Sequence, residues 1–218
     1  MIAAVGAGVV AAMMSRWYQL DWWWLPIQLA FTPALVIFNS FAIPPIAFLV
    51  AFVVMLAVFW STYRTRVPLF SSGPAVWARV ADLLPAQPLH GVDIGSGVGG
   101  AVLALSRQRP DCQFIGVELA PLPWLISVVR GRWNRSAARF YRRDYTELDL
   151  GSFDVVFAYL SPAAMPALWE QAQRQMRAGS QLISYEFGID HVEADSCHQP
   201  STSGPRLFVW YPNGKCEI

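Results

Sequence analysis

The hydrophobic and polar positions divide this chain into an apolar first part and a second part in which strand and helix patterns alternate. Between positions 1 and 60, only Arg16 and Asp21 carry a charge. Ala42 to Trp60 is an apolar run of 19 residues, long enough to cross a bilayer core as a helix. Leu20 to Phe38 is a weaker second candidate, because prolines interrupt it. The pattern therefore predicts one or two transmembrane helices.

The residues around these runs predict how the helices lie in a bilayer. Tryptophan and tyrosine cluster at positions 17–24, as in the aromatic belts at the level of lipid headgroups. Asn39 and Ser40 are expected to form the turn between spans. Arg16 would share one membrane face with Arg64 and Arg66, and the positive-inside rule makes that face cytoplasmic. The alternative is a buried hydrophobic hairpin in a soluble protein, which would have to cover roughly sixty nearly uncharged residues.

After a turn-rich linker at 67–74, short apolar runs typical of strands alternate with stretches of helical spacing. The predicted strands are 89–94, 114–118, 140–145, 153–159, 181–187 and 206–211. The predicted helices are 75–84, 98–107, 122–133 and 163–177. This alternation predicts an α/β fold, a Rossmann-like and mostly parallel sheet with helices on both faces, preceded by the N-terminal α-helical membrane region. The last strand is expected to be antiparallel, at the edge of the sheet.

Composition narrows the classes of protein to consider. With 55% hydrophobic and 14% charged residues, the chain is too apolar for a wholly soluble protein. Its formal net charge of +1 gives no overall field that selects nucleic acid. The three cysteines, Cys112, Cys197 and Cys216, are too widely spaced for a disulfide framework or a metal cluster, and they fit a reducing compartment. The polar loop at 191–198 has no established ligand spacing, so no metal is predicted.

The candidate chemistry begins where the first predicted strand runs into a glycine-rich turn. Val92 and Ile94 are strand formers, and Gly95, Gly97 and Gly99 let the backbone bend sharply and approach a ligand closely. A helix follows, and its free N–H groups point back at the turn. A strand, a glycine turn and a helix N-terminus at the carboxyl edge of a sheet form a nucleotide-type pocket.

Two kinds of nucleotide ligand are compatible with this turn. The spacing Gly95-x-Gly97-x-x-Gly100, with Glu118 about twenty residues later, satisfies the dinucleotide pattern of oxidoreductases. However, Asp93 precedes the first glycine by two residues, and a carboxylate there would oppose a pyrophosphate. It suits a ligand with positive charge, such as the sulfonium and amino group of S-adenosylmethionine. The pattern therefore favours S-adenosylmethionine over a nicotinamide or a flavin.

The stretch from Leu89 to Phe187 resembles the core of the seven-strand methyltransferases that use S-adenosylmethionine. Two runs within it, Val92-Asp93-Ile94-Gly95-Ser96-Gly97 and Gly116-Val117-Glu118-Leu119-Ala120-Pro121, resemble the FAM173 family of membrane-tethered protein-lysine methyltransferases. This resemblance implies a membrane anchor at 1–66 and a methyltransferase domain at 67–218. It also implies a membrane-protein substrate and binding of S-adenosylmethionine by the first run, through Asp93, Gly95, Ser96 and Gly97.

Two further acids are expected to complete the cofactor site. Glu118 ends the second predicted strand, where a carboxylate accepts both hydroxyls of an adenosine ribose. Asp144 follows the third strand, where this fold usually holds the adenine amino group. The alternative for each is a solvated acid at a strand end.

The acceptor of the methyl group is expected at the ends of the later strands. Tyr159 and Ser161 follow the fourth predicted strand, and Glu186 lies at the end of the fifth. These three residues are the candidates for catalytic positioning, because an amine acceptor must be desolvated or lose its proton before it attacks a methyl group. Each is also compatible with a purely structural role.

A basic stretch covers the end of the third predicted helix and the strand after it. Its arginines are Arg130, Arg132, Arg135, Arg139, Arg142 and Arg143, with three aromatic residues among them. They form either a solvated face or a contact with anionic lipid headgroups beside the membrane. Nucleic-acid binding is not expected, because the rest of the chain lacks a basic excess.

These features predict a membrane-anchored, S-adenosylmethionine-dependent methyltransferase that acts on a protein lysine at or near the membrane. The expected location is the bacterial inner membrane, with the catalytic domain in the cytoplasm. The alternatives are a small-molecule or lipid methyltransferase, a membrane protein that binds a nucleotide or S-adenosylmethionine without catalysis, and a tethered oxidoreductase.

Overall fold

A computed structural model of the chain describes residues 2–41, 43–58, 72–201 and 204–215. The chain divides into two compact units, Met1–Val53 and Val54–Ile218, and the division falls within the third helix. Every described strand lies in the second unit. The apolar first part of the sequence therefore forms helices, and the part with alternating strand and helix patterns forms the sheet with its helices.

The first unit is built from apolar helices. α1 spans Ile2–Trp17, α2 spans Trp24–Ser40 and α3 spans Pro45–Val58. α2 includes Asn39 and Ser40, so the turn predicted at these residues is wrong and the helix ends after them.

The predicted transmembrane helices are not found in the described ranges. No described helix combines the length and the hydropathy that crossing a membrane requires. The runs at 20–38 and 42–60 correspond to α2 and α3, which have 17 and 14 residues. Positions 59 and 60 lie outside the described residues, as do Arg64 and Arg66.

Small residues make the contact between α1 and α2. Ala4, Gly8, Ala12 and Ser15 are buried along one face of α1. A Cβ added at Gly8 would lie 2.8 Å from the carbonyl oxygen of Leu29, so the close approach of the two helices requires glycine. Many of the large apolar side chains of both helices are exposed instead. The hairpin therefore has small residues inside and large apolar residues outside.

The second unit contains one seven-stranded sheet in the order β3-β2-β1-β4-β5-β7-β6. The strands are β1 His90–Ile94, β2 Gln113–Glu118, β3 Arg139–Arg142, β4 Val155–Ala158, β5 Gln181–Tyr185, β6 Ser196–His198 and β7 Leu207–Trp210. The first five strands pair in parallel, and β7 runs antiparallel to β5. The antiparallel last strand is thus confirmed, but its predicted edge position is wrong, because β6 pairs along its outer side.

Helices cover both faces of this sheet, as predicted. They are α4 Pro74–Leu83, α5 Gly100–Gln108, α6 Pro121–Trp133 and α7 Met165–Gln175. Val80 of α4 and Val102 of α5 pack with Phe157 on one face, where α6 also lies against β3. On the other face, Leu168 of α7 packs with Leu182 of β5. Between β3 and β4 the described chain forms two short 3-10 turns.

The strand order places a crevice at the carboxyl ends of β1 and β4. The sheet continues from β1 through β2 and β3 on one side, and through β4 and β5 on the other. Ligands of open parallel sheets bind where the order reverses in this way. The glycine turn after β1 and Tyr159 after β4 therefore meet at one edge of the sheet.

Candidate functional site

The glycine turn has the left-handed backbone that its sequence predicts. Gly95, Gly97 and Gly99 have φ angles of 75°, 53° and 77°, a region that residues with a Cβ rarely adopt. The N–H groups of Gly95 and Ser96 donate hydrogen bonds to the carbonyl oxygen of Val117, at 2.9 and 3.0 Å. Gly99 is the N-cap of α5, so the helix begins directly at the turn. The turn is thereby fixed against the end of β2.

Glu118 holds this turn with both of its carboxylate oxygens. Oε2 accepts a 2.9 Å hydrogen bond from the Gly97 N–H, and Oε1 accepts a 2.7 Å bond from the Ala120 N–H. The side chain is buried, and this burial raises its pKa, although the backbone N–H groups act in the opposite direction. Each oxygen retains a second lone pair that a ribose hydroxyl could use. The sequence predicted only the ribose contact and missed the structural one.

Asp93 is a buried carboxyl group on β1, an inner strand of the sheet. It lies between Gly116 of β2 and Phe157 of β4 and is 7% exposed. Burial, with a further contribution from the negative charge of Glu118, raises the pKa of Asp93 from 3.8 to about 8. In the free protein the group is therefore mainly protonated at neutral pH. A cationic ligand beside it would stabilise the ionised form.

Asp93 lines a cavity of about 220 Å³ at the carboxyl edge of the sheet. The glycine turn at 95–98 forms one wall, and Trp77, Phe157 and Tyr159 contribute further lining. Ser96 also lines it, and the Ser96 hydroxyl is buried without a hydrogen-bond partner among the described residues. An unpaired buried hydroxyl of this kind is unfavourable unless a ligand or water satisfies it.

Arg130 supplies a positive charge at the same cavity. Its Nη1 donates a 2.6 Å hydrogen bond to the carbonyl oxygen of Val98, and the side chain forms part of the lining. The sequence placed Arg130 among a stretch of surface arginines, so its position at the glycine turn was missed. Only the packing of α6 beside the turn brings it there, and no local motif signals this contact.

Tyr159 and Glu186, two separate candidates for positioning the acceptor, contact each other at the carboxyl edge of the sheet. The Tyr159 hydroxyl donates a 2.5 Å hydrogen bond to Oε2 of Glu186. Burial raises the pKa of Tyr159, and the bond to Glu186 raises it further, so the phenol remains a proton donor. Glu186 is exposed and has a φ of 73°, a strained conformation for a residue with a Cβ. Rings of Tyr185 and Phe187 lie 4.8 and 6.1 Å from the Tyr159 ring.

Four predicted site residues lie outside the lining of this cavity: Glu118 and Glu186, whose contacts are described above, and Asp144 and Ser161. Asp144 accepts hydrogen bonds at Oδ1 from the backbone N–H and the hydroxyl of Thr146, at 3.1 and 2.9 Å, and so caps a 3-10 turn. Ser161 is buried, and its hydroxyl has no partner among the described residues. The adenine contact of Asp144 and the acceptor role of Ser161 stay predictions.

The polar loop at 191–198 takes part in the packing of the last strands. His198 of β6 contacts Nη2 of Arg79 through Nδ1 at 3.1 Å, and Asp195 accepts a 3.0 Å hydrogen bond from the Tyr211 N–H. No group of three or more histidine, cysteine or acidic side chains is placed to hold a metal ion in the ranges that the structure describes.

Replacing Glu118 by alanine is expected to weaken both the fold and cofactor binding. The substitution leaves the N–H groups of Gly97 and Ala120 without their acceptor, which costs about 1–3 kcal/mol for each buried group. Chemical denaturation and titration calorimetry with S-adenosylmethionine measure the two effects. Asp195→Ala is the matched control, because Asp195 also accepts a backbone N–H, from Tyr211, and lies outside the lining of the cavity. An unchanged affinity in Glu118→Ala would contradict the assignment.

Known proteins resemble the part of the chain that contains this site. Residues 93–196 match the family model described as the ANTKMT methyltransferase domain. The adenine nucleotide translocase lysine N-methyltransferase of Mus musculus is 28% identical over 132 residues, which are 58% of this chain and 56% of the mouse protein. The chain thus spans about half the length of this relative. The release factor glutamine methyltransferase of Escherichia coli (strain K12) is 47% identical over 38 residues, 17% of this chain and 14% of that protein.

A solved structure shares the fold. An RNA methyltransferase from Salinibacter ruber, in complex with S-adenosyl-L-homocysteine, superposes with a TM-score of 0.61 and 22% identity, covering 68% of this chain and 96% of that one. Fold, glycine turn and family model agree with one another. Together they show that residues 93–196 are similar to a methyltransferase domain of the adenine nucleotide translocase lysine methyltransferase type, on a fold shared with a methyltransferase that binds S-adenosyl-L-homocysteine.

Proposed function

We propose that the protein transfers the methyl group of S-adenosylmethionine to the amine of a protein lysine, and that it does so at a membrane. One observation carries the catalytic part of this proposal. The cavity beside the glycine turn is lined both by Asp93, which suits a cationic donor, and by Tyr159, whose hydroxyl is bonded to the carboxylate of Glu186. The carboxyl group proposed to bind the methyl donor and the tyrosine proposed to act on the acceptor side therefore line the same cavity.

The residues of the cavity fit the chemical groups of S-adenosylmethionine. The left-handed glycines allow close approach of the ligand, and the unpaired Ser96 hydroxyl offers a hydrogen bond. Asp93 matches the positive charges of the sulfonium and the amino group. Arg130 matches the carboxylate at the other end of the methionine moiety. Glu118 would accept the ribose hydroxyls with its remaining lone pairs, and Asp144 would contact the adenine amino group.

The acceptor edge fits an amine that arrives protonated. The bound donor supplies an activated methyl group, so this chain's residues have to position the amine and remove its proton. Glu186 would take that proton, converting the ammonium into a neutral nucleophile. The Tyr159 hydroxyl keeps the carboxylate in place, because it donates to Glu186 and does not ionise in the neutral pH range. The neighbouring rings of Tyr185 and Phe187 present apolar and π surfaces to a cation.

The similarity to the mouse lysine methyltransferase supports a protein lysine as the acceptor. Methylation of a glutamine amide or an adenine is less well supported. The residues after β4 read Tyr159-Leu160-Ser161-Pro162, which lacks the Asn/Asp-Pro-Pro-Tyr motif of those enzymes. The resemblance to the release factor methyltransferase covers only 38 residues. A small molecule or lipid with an amino group remains the alternative acceptor.

The packing of the N-terminal hairpin supports a membrane location. Val10, Met13 and Trp17 of α1 are 57%, 68% and 85% exposed. The residues of α1 that are buried against α2 are small. Small residues at helix contacts and large apolar residues outside are typical of helices surrounded by lipid. In this proposal the region 1–66 anchors the protein and the domain 67–218 acts in the cytoplasm, beside the bacterial inner membrane.

Transfer of labelled methyl groups tests the proposed reaction. The full chain is incubated with methyl-labelled S-adenosylmethionine and membranes of the source cells, and protein is then separated from lipid and small molecules. We expect the label in protein, and acid hydrolysis should release it as methylated lysine. Label in the lipid or small-molecule fraction would replace lysine with the alternative acceptor. Absence of label from every fraction, in a preparation that binds S-adenosylmethionine, would contradict the proposed reaction.

A further inference from the structure

Helix α6 presents an apolar stripe to solvent. Its inner face consists of Pro123, Ser127 and Gly131, which pack towards β3 and the glycine turn. The opposite face carries Leu125, Ile126, Val129 and Trp133, which are 49%, 38%, 51% and 87% exposed. These positions fall on one side of a helix and form a stripe about 12 Å long. A tryptophan exposed to this extent beside three aliphatic residues is typical of a binding surface.

Arginines flank this stripe, and the segment that carries them contains no acidic residue. Arg132 lies on the same helix face, Arg135 follows the helix, and the edge strand β3 adds Arg142, on the same side of the strand as Phe140, which contacts α6. All three are exposed, and none takes part in the salt bridges of the described chain. The sequence from 119 to 143 contains no aspartate or glutamate. The surface is therefore both apolar and strongly positive.

We infer that this face of α6 docks the protein on an anionic lipid surface. Aliphatic and tryptophan side chains would enter the boundary between headgroups and acyl chains, while the arginines contact lipid phosphates. Nucleic acid accounts for the arginines but not for Leu125, Ile126 and Val129, because aliphatic side chains offer no stacking partner for bases. The inference deepens the proposed membrane location and rests on it.

The consequence concerns the substrate. α6 begins three residues after Glu118, and its Arg130 reaches the glycine turn. Docking through α6 would therefore hold the donor cavity close to the lipid headgroups. An acceptor lysine near the membrane surface would be within reach, whereas one on a freely diffusing protein would gain nothing from this contact.

Vesicle partitioning of the full chain tests the docking surface. The two vesicle types are phosphatidylcholine alone and phosphatidylcholine with about one third phosphatidylglycerol. Helices α1 to α3 carry one charged residue, Arg16, and should bind both vesicle types, so a preference for anionic vesicles reports the arginines of the α6 face. We expect the double variant Arg132→Gln/Arg135→Gln to lose about 25-fold in binding to anionic vesicles, since each arginine contributes about fivefold. Trp133→Ala should lose about tenfold on the same vesicles.

The matched control removes two exposed arginines elsewhere, in Arg107→Gln/Arg174→Gln, and should keep the anionic preference. Thermal unfolding and S-adenosylmethionine affinity are measured for every variant, so that a folding defect is recognised. Equal binding of the wild type to both vesicle types would overturn the docking surface alone. Binding to neither would overturn the membrane location as well. If the arginines were needed to bind an RNA oligonucleotide and the protein showed no preference for anionic vesicles, the α6 face would be a nucleic-acid surface and the inferred lipid docking would be wrong.

Discussion

Asp93→Asn is expected to lower the affinity for S-adenosylmethionine by roughly two to three orders of magnitude, measured by titration calorimetry. Asparagine has nearly the same shape, so the strand and the glycine turn should remain. What is lost is the negative charge that a buried site offers to a sulfonium and an ammonium group. The loss is large because Asp93 is only 7% exposed, and water does not screen its interactions effectively.

Proton release gives the same variant a second readout. The pKa of Asp93 is about 8 in the free protein, so most molecules hold this proton at pH 7. Binding of a cation should expel it, and calorimetry in buffers of different ionisation enthalpy should detect close to one released proton. Asp93→Asn should abolish that contribution, whereas Glu170→Gln on the exposed side of α7 should not. Proton release that persists in Asp93→Asn would contradict the assigned contact.

The stability of the free protein should also change with pH in a predictable direction. Below pH 3.8 the Asp93 side chain is protonated in both the folded and the unfolded chain. Between that value and about pH 8, only the unfolded chain ionises it, so wild-type stability falls as the pH rises, by up to ~1.4 kcal/mol per pH unit. Asparagine does not ionise, so the stability of Asp93→Asn lacks this pH dependence. The difference in unfolding free energy between the two proteins should therefore grow up to pH 8 and then remain constant.

The features that the sequence predicted correctly are those determined by residues close together in the chain. Strand β1, the glycine turn and α5 occupy one continuous stretch, and their pattern determines where the strand ends and the helix begins. The parallel sheet follows from the alternation of strands and helices. Strand β6 was missed, because Ser196–His198 is only three residues long and lies in a polar loop without alternating hydrophobicity.

Contacts between distant residues were the harder part of the site. Arg130 is 32 residues from Val98, and only the packing of α6 makes its hydrogen bond to the glycine turn possible. Tyr159 and Glu186 both lie at the ends of predicted strands, and the adjacent parallel strands β4 and β5 bring such positions together. The short hydrogen bond between them and the strained backbone of Glu186 have no signature in the sequence.

The second large effect is expected for Glu186→Gln, which should lower the rate of methyl transfer by about 10²- to 10⁴-fold at neutral pH. Glutamine retains an oxygen that accepts the Tyr159 hydroxyl, so the pair should keep its geometry. It has no group that takes a proton from a lysine ammonium. Because Glu186 is absent from the lining next to the glycine turn, the affinity for S-adenosylmethionine should be unchanged.

The pH dependence separates proton removal from positioning. A lysine with a pKa near 10.4 becomes neutral in solution about tenfold more often with each rise of one pH unit. The rate of Glu186→Gln should therefore increase with pH more steeply than that of the wild type. Tyr159→Phe keeps the base but loses the hydrogen bond that holds it, so we expect a smaller loss of rate without this steep dependence. Glu193→Gln, the same change on an exposed residue of the following loop, is the control. If Glu186→Gln and Glu193→Gln were equally active, the proton would have to leave by another route, and the strain at Glu186 would need a structural explanation.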